Sequence, residues 1–225
     1  MPILQAAIFD LDGTLLDSAP DIRNALNLTL TSHRRRHVTL DEVKAMVGDG
    51  LLTTLERAFT ITGAPIPSAE SYIHFQEFIE HYRAQKPDPA QLYPDAIATM
   101  QKFLKTGVKL GICTNKQEAS TLRLLDQLNV ARYFNFVAGG DTFQVHKPNP
   151  GHVTGVLEKL NVSPINAVMI GDSRNDALAA RGAGVACLIV KHGYGTDFSN
   201  LEIDGLIDGF ADLDATLERL GFRQS

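Results

Sequence analysis

Three things are scarce in this 225-residue chain: cysteine, surplus positive charge and long apolar runs. The two cysteines, Cys113 and Cys187, stand in the apolar stretches 110–113 and 185–190. Both are expected as buried, reduced thiols rather than as a structural framework. Lys and Arg number 21 against 26 Asp and Glu, a net charge of −5. Sequence-independent binding to nucleic acid draws on surplus Lys and Arg, so no nucleic-acid partner is expected and any phosphate must be met locally. The first apolar stretch, Ala6-Ala7-Ile8-Phe9, stops at Asp10. That is short of the ~7–15 apolar residues of a secretory signal, and no run nears the ~18 of a membrane span. A cytoplasmic protein with no membrane partner is the expectation, and the sequons at Asn27 and Asn161 then carry no weight. Internal repeats, low-complexity tracts and coiled-coil heptads are missing too. So are Gly-x-Gly-x-x-Gly after a strand and Gly-x₄-Gly-Lys-Ser/Thr, which excludes the dinucleotide-dehydrogenase and P-loop readings.

What is present is ordinary globular material, 44% hydrophobic and 21% charged, in a chain long enough to bury roughly 70% of its unfolded surface without a staple. Short apolar runs recur at 4–9, 108–113, 136–138, 167–170 and 186–190, each followed by a polar turn and a helix-length segment. Such alternation predicts an α/β fold with a doubly wound parallel sheet covered on both faces. Residues 16–84 break the alternation, with helix-like segments at 19–31, 40–46, 51–61 and 68–83 and no strand among them. In the last of these, Tyr72, Phe75, Ile79 and Tyr82 repeat at helical spacing, opposite Glu70, Glu77, Glu80 and Arg83. The stretch reads as a helical insertion after the first strand. A turn-rich segment with Pro87 and Pro89 leads back, and a helix from about 94 to 105 follows, stopped by Gly107. The expected organisation is therefore a sheet domain of residues 1–15 and 90–225 and a helical cap of residues 16–89. The run Arg34-Arg35-Arg36-His37 is expected as a solvated turn or as a partner for a helix C-terminus.

The residues with chemical capacity fall at strand ends. Asp10 and Asp12 follow the first strand, and in extended chain residues i and i+2 point the same way, so two carboxylates meet where open α/β sheets bind their ligands. Like charges this close raise each other's pKa unless a cation intervenes, which fits a divalent ion. Taken alone, Asp-x-Asp-Gly is equally a plain turn; a calcium loop lacks its further acids. Thr114 and Asn115 end the second strand and can hydrogen-bond phosphate oxygens, or simply cap a helix. Lys147 stands in His146-Lys147-Pro148-Asn149-Pro150, where prolines restrict its approach, although a lysine in such a turn is ordinarily a surface residue. His146 reads as structural. Asp172 ends the fourth strand and Asp176 lies one helical turn on, as a pair facing one crevice or as cap and dipole partner of the next helix.

In order along the chain, Asp10-Leu11-Asp12-Gly13-Thr14, Thr114, Lys147 and Gly171-Asp172-Ser173-Arg174-Asn175-Asp176 resemble the four motifs of the haloacid dehalogenase-like (HAD) hydrolases over nearly the whole length, inserted cap included. Within that superfamily Asp12-Gly13-Thr14-Leu15-Leu16-Asp17-Ser18, Thr114-Asn115-Lys116, Lys147-Pro148-Asn149-Pro150 and Gly193-Tyr194-Gly195 are most similar to phosphoglycolate phosphatases. The resemblance implies a Rossmann-like HAD core that hydrolyses a small phosphomonoester, with 2-phosphoglycolate the leading substrate. It implies Asp10 as nucleophile, Asp12 as general acid and base, and Thr114, Asn115 and Lys147 as holders of the phosphoryl group. Mg²⁺ is implied on Asp10, the Asp12 carbonyl and Asp172, with Asp176 orienting a metal water or Lys147. Sugar phosphates, N-acetylmuramic acid 6-phosphate and pyrophosphate stay open as substrates, as does a β-phosphoglucomutase-like transfer. A phospho-acceptor signalling domain fits poorly, because it lacks an inserted cap. The cap candidates for selectivity and closure are the turn Val47-Gly48-Asp49-Gly50, which is equally a plain connection between helices, and the hinge segments near Asp17-Ser18 and at 86–91; the chain is expected as a monomer or homodimer.

Overall fold

The computed structural model describes residues 2–223. Six strands form one sheet: β1 (Ala6–Phe9), β2 (Lys109–Cys113), β3 (Phe136–Ala138), β4 (Ala167–Gly171), β5 (Ala186–Val190) and β6 (Gly205–Ile207). All pairings are parallel, in the order β3-β2-β1-β4-β5-β6. The chain runs outward from β1 on one side, then crosses to β4 on the other. The crevice at the carboxyl ends of β1, β2 and β4 is therefore the switch point where such sheets receive ligands. Five of the strands were legible as apolar runs. The sixth was not, because Gly205-Leu206-Ile207 is an edge strand of three residues whose Leu206 faces out.

The sheet is apolar on both faces because helices cover both. Ala7 and Phe9 of β1 point into one layer with Phe103, Leu125 and Phe210; Ala6 and Ile8 point into the other with Val156, Ala180 and Ile189. Cys113 and Cys187 are buried and unbridged within the second layer, and burial pushes the Cys113 thiol up to about 12.

Between β1 and β2 the chain forms α1 (Ala19–Ser32), α2 (Leu40–Lys44), α3 (Leu51–Thr62) and α4 (Ser71–Ala84). Their apolar faces meet in a third core built on Ile22, Leu26, Val43, Leu55, Phe59 and Phe78. The fold is thus a doubly wound α/β core with an inserted α-helical cap. Helix α4 starts three residues later than its periodicity suggests, since residues 67–70 close a turn through Glu70 N–H to Pro67 O at 2.8 Å. Helix α2 is short but fixed at its start: Thr39 Oγ1 accepts from Glu42 N, and Glu42 returns a carboxylate oxygen to Thr39 N. The arginine run serves the C-terminus of α3. Arg35 donates to Phe59 O and Ala64 O, and Arg36 to Ile61 O and the Glu42 carboxylate. After the cap, α5 (Ala96–Lys105), α6 (Glu118–Gln127), α7 (Pro150–Leu160), α8 (Arg174–Gly182) and α9 (Leu213–Arg219) complete the layers. Among the described residues, no helix is long and apolar enough to cross a membrane.

Candidate active site

Strand β1 continues its ladder one residue past its end, with Asp10 N–H donating to Ile170 O at 2.9 Å. This fixes the Asp10 backbone beside the end of β4, and hence beside Asp172. Leu11 O then accepts from Thr14, Leu15 and Leu16, so the chain folds into a tight turn directly over the strand end. Gly13 makes that turn possible. Its φ is +83°, and a Cβ there would lie 2.4 Å from Asp172 Oδ2. Gly193 packs against the same side chain, where a Cβ would lie 2.1 Å from Asp172 Cβ and so has no room. Thr14 Oγ1 and Tyr194 N–H donate to Asp172 at 3.3 and 2.7 Å and fix its orientation.

Asp10, Asp172 and Asp176 are buried together, with carboxylate oxygens within 4.8 Å of one another. Lys147 enters this cluster from its proline-rich turn, 1% exposed. Its ammonium lies 3.0 Å from Asp10 Oδ1 and 2.5 Å from Asp176 Oδ1. Asp176 uses its other oxygen to accept from Asp172 N, Ser173 N and Ser173 Oγ, so it both caps α8 and holds Lys147. The lysine backbone is held as well. Lys147 N–H donates to His152 Nδ1 at 3.2 Å, and His152 Nε2 pairs with Gly139 O at 3.1 Å. Burial, helped by the Lys147 charge, lowers His152 to about 4, which keeps the imidazole neutral and able to accept. His146, expected as structural, meets Lys147 O through Nδ1 at 3.0 Å.

The electrostatics of the cluster point to a cation. Burial pushes Asp10 up to about 6 from an ordinary 3.8, despite Lys147 beside it and with Asp176 adding to the rise. Burial, Asp176 and Asp10 raise Asp172 well above the usual carboxylate range. Lys147 is raised too, because the attraction of Asp10 and Asp176 outweighs its burial, and this holds its ammonium charged. Asp10 Oδ1 is buried and lies outside hydrogen-bond geometry with Lys147, so it accepts no hydrogen bond. Carboxylates that are hard to ionise, gathered within reach of one ion and with one oxygen unsatisfied, suit a hard divalent cation with oxygen ligands. The cluster can hold a metal.

Thr114 continues β2 through its N–H to Ala138 O, and its hydroxyl oxygen accepts from Lys116 N at 3.3 Å. Thr114 lines a narrow pocket together with Asp10, Asp12 and the cap residue Gly48. Asn115 is committed elsewhere in this arrangement. Its side-chain amide donates to Gly48 O and to Lys147 O, both at 2.9 Å, which ties the cap turn to the lysine loop. Asn175 makes the matching tie from α8, donating to Gly48 O and to Asp49 Oδ1 at 3.2 and 2.6 Å. Asp49 also pairs with Arg57.

Sequence reasoning left four residues here without a role. Lys116 donates two hydrogen bonds to Asp12, Asn175 holds the cap turn, His152 holds Lys147, and Tyr194 joins Asp172 to Asp17 and Ala19 at the start of α1. The Tyr194 hydroxyl accepts from Ala19 N at 3.0 Å and donates to Asp17 Oδ1 at 2.9 Å, while its ring lies in the cap core. Lys116, Asn175 and Tyr194 stand in the motifs of the resemblance, and of these Lys116 carries a chemical signal of its own, as a cation directly after a hydroxyl and an amide at a strand end.

A family model for haloacid dehalogenase-like hydrolases matches residues 7–190. A phosphoglycolate phosphatase of Agrobacterium fabrum is 39% identical over 218 residues, covering 96% of this chain and 93% of the relative. One of Caulobacter vibrioides is 37% identical over 206 residues, covering 91% and 87%. Among solved structures, a predicted phosphoglycolate phosphatase from Haemophilus somnus 129pt superposes with a TM-score of 0.87 at 25% identity, covering 94% of this chain and 97% of that one. The chain belongs to the haloacid dehalogenase-like hydrolases and is a phosphatase of that family.

Proposed function

We propose that the chain is a Mg²⁺-dependent phosphatase of a small phosphomonoester, 2-phosphoglycolate, which it hydrolyses to glycolate and phosphate through a phosphorylated Asp10. The observation that carries this reading is the buried cluster of Asp10, Asp172 and Asp176 around the Lys147 ammonium, in a chain 39% identical to a phosphoglycolate phosphatase.

In the first half-reaction Asp10 attacks phosphorus and the ester bond breaks, the leaving alkoxide taking a proton from Asp12. In the second, Asp12 takes a proton from water, the water oxygen attacks phosphorus, and phosphate departs from Asp10. Lys147 neutralises charge on nucleophile and phosphoryl oxygens, held in place by Asp176, and the Thr114 hydroxyl donates to a phosphoryl oxygen. Mg²⁺ would be held by the Asp10 and Asp172 carboxylates and the Asp12 carbonyl, supplying positive charge to the phosphoryl group when bound. Asn115 serves substrate binding indirectly, by holding Gly48 over the pocket. Residues 16–89 act as the cap over a core of 1–15 and 90–225, and their closure over bound substrate excludes bulk water while leaving room for the one water that Asp12 activates.

The test is a rate screen over 2-phosphoglycolate, sugar phosphates, N-acetylmuramic acid 6-phosphate and pyrophosphate, with and without Mg²⁺. The highest kcat/KM is expected for 2-phosphoglycolate and only with the ion. A higher value for another ester would replace the substrate, and undiminished turnover in EDTA would remove the metal.

A further inference from the structure

The chemistry above leaves one buried cation at the site without a task. Lys116 follows Thr114 and Asn115 at the end of β2, with its side chain 0% exposed. Its ammonium donates to both oxygens of Asp12, at 3.0 and 2.7 Å, and lies 5.0 Å from the centre of the Tyr82 ring of α4. Burial opposes the charge, but the Asp12 carboxylate outweighs it and raises the lysine above its usual range. Lys116 is therefore charged at neutral pH. A buried ion pair of this kind is weak evidence for a stabilising role, since apolar residues of similar volume serve stability as well or better.

Its position suits substrate better than scaffold. Lys116, Asp12, Asp10 and Thr114 line one narrow pocket, whose cap side is lined by Val47, Gly48, Leu51 and Thr54. A group that protonates the ester oxygen must lie within hydrogen-bond reach of it, and the Lys116 ammonium is one hydrogen bond beyond that group. An anion attached one carbon past the ester oxygen falls within its reach. Charge points the same way. Among the described residues, Lys147 pairs with Asp10 and Asp176 and Lys116 with Asp12, so with Asp172 the four ionised carboxylates leave two negative charges for a divalent cation to cancel. A leaving group carrying its own negative charge then needs a cation of its own. Lys116 can supply it by exchanging one carboxylate partner for another, without losing a counterion at any point.

We infer that Lys116 is the receptor for a carboxylate on the leaving group and selects phosphate esters of short 2-hydroxy acids over esters of neutral alcohols. This deepens the phosphoglycolate reading and rests on it. A second cation near the crevice, Lys44 of α2, faces a wider cavity of about 470 Å³ and stands 4.0 Å from Asp17. It is the rival receptor.

The experiment measures equilibrium binding by calorimetry in Mg²⁺, in an Asp12→Asn background that slows turnover and removes the competing carboxylate. Asp12→Asn is expected to bind 2-phosphoglycolate roughly 10- to 100-fold more tightly than ethyl phosphate, the range of one hydrogen bond to a charged group. Adding Lys116→Met should collapse that preference to about twofold, while adding Lys44→Met should leave it intact. The Asn and Met pair is neutral, so the double variant leaves no buried charge at these two positions; Lys116→Gln is the second choice should it unfold. A preference that survives the loss of Lys116, or that Lys44→Met abolishes instead, overturns the inference and leaves the substrate reading standing. Wild-type turnover of 2-phosphoglycolate no faster than that of ethyl phosphate overturns the substrate reading itself.

Discussion

The Lys147 ammonium is hydrogen-bonded to Asp176 Oδ1 at 2.5 Å, and this contact sets the position from which it meets Asp10 at 3.0 Å. A lysine on a turn has four rotatable bonds, and burial between two acids removes that freedom before substrate arrives. Replacing Lys147 by Met is expected to lower kcat by roughly 10²- to 10³-fold, the scale of losing one charge-stabilising donor. Asp176→Asn keeps the shape and removes the charge, so a smaller loss in kcat with little change in KM is expected. Steady-state kinetics on both variants reads the order; equal kcat in Asp176→Asn and wild type would detach Asp176 from Lys147.

Stability in the absence of metal should fall as pH rises. Burial lifts the folded-state pKa of Asp10 to about 6, above the 3.8 of the unfolded chain, and raises Asp172 as well. Across that window the folded state binds more protons than the unfolded one, so each step up in pH favours unfolding. A divalent cation reverses the sign by favouring the ionised carboxylates. Thermal melts with EDTA and with Mg²⁺ should therefore diverge between about pH 5 and pH 7, the gap widening with pH. A constant gap would show that these carboxylates do not take up the ion.

The cap turn is held by two core asparagines, and loosening it should alter substrate capture before it alters chemistry. Asn175→Ala removes the hydrogen bonds to Gly48 O and Asp49 Oδ1. At about 0.5–1.5 kcal/mol for a typical bond, KM is expected to rise several-fold with the single-turnover rate at saturation nearly unchanged. Asp49→Ala breaks the same tie from the other side. If it leaves relative rates across substrates unaltered, Asp49 latches the cap without reading the substrate.

Tyr194 links the core to the start of α1 through a hydroxyl, and that link is testable as stability. Tyr194→Phe removes the 3.0 Å acceptor of Ala19 N–H, which keeps its 3.3 Å contact with Asp17 Oδ1, and takes the hydroxyl donor from Asp17. A loss of about 0.5–1.5 kcal/mol is expected, read by urea denaturation. Because Tyr194 N–H still holds Asp172, metal affinity should change little.

The sheet was legible because its interior strands are apolar on both faces, a signal that survives without any partner in view. Phe9, Ile112 and Ile170 each declare a strand by their neighbours alone. The three-residue β6 and the start of α4 were not, since Gly205 and the turn at 67–70 depend on what lies beside them in space. The same division runs through the site. Asp10, Thr114, Lys147 and Asp172 sit at strand ends or before helices, so order along the chain nominates them. The partners do not. His152 meets Lys147 from within α7, and Asn175 reaches a cap turn 126 residues away in sequence. Asn115 shows the limit most clearly: its motif suggests a donor to phosphate, and the fold gives both protons to carbonyls instead.

The central claim is that Asp10 carries the phosphoryl group during turnover. Acid quenching of the enzyme during hydrolysis of ³²P-labelled 2-phosphoglycolate in Mg²⁺, followed by peptide mapping, tests it most directly. Label is expected on the peptide containing Asp10 and is expected to be absent from Asp10→Asn, which should also lose turnover by roughly 10⁴-fold or more. Turnover at wild-type rates with no covalent label, or with label on another residue, would contradict it.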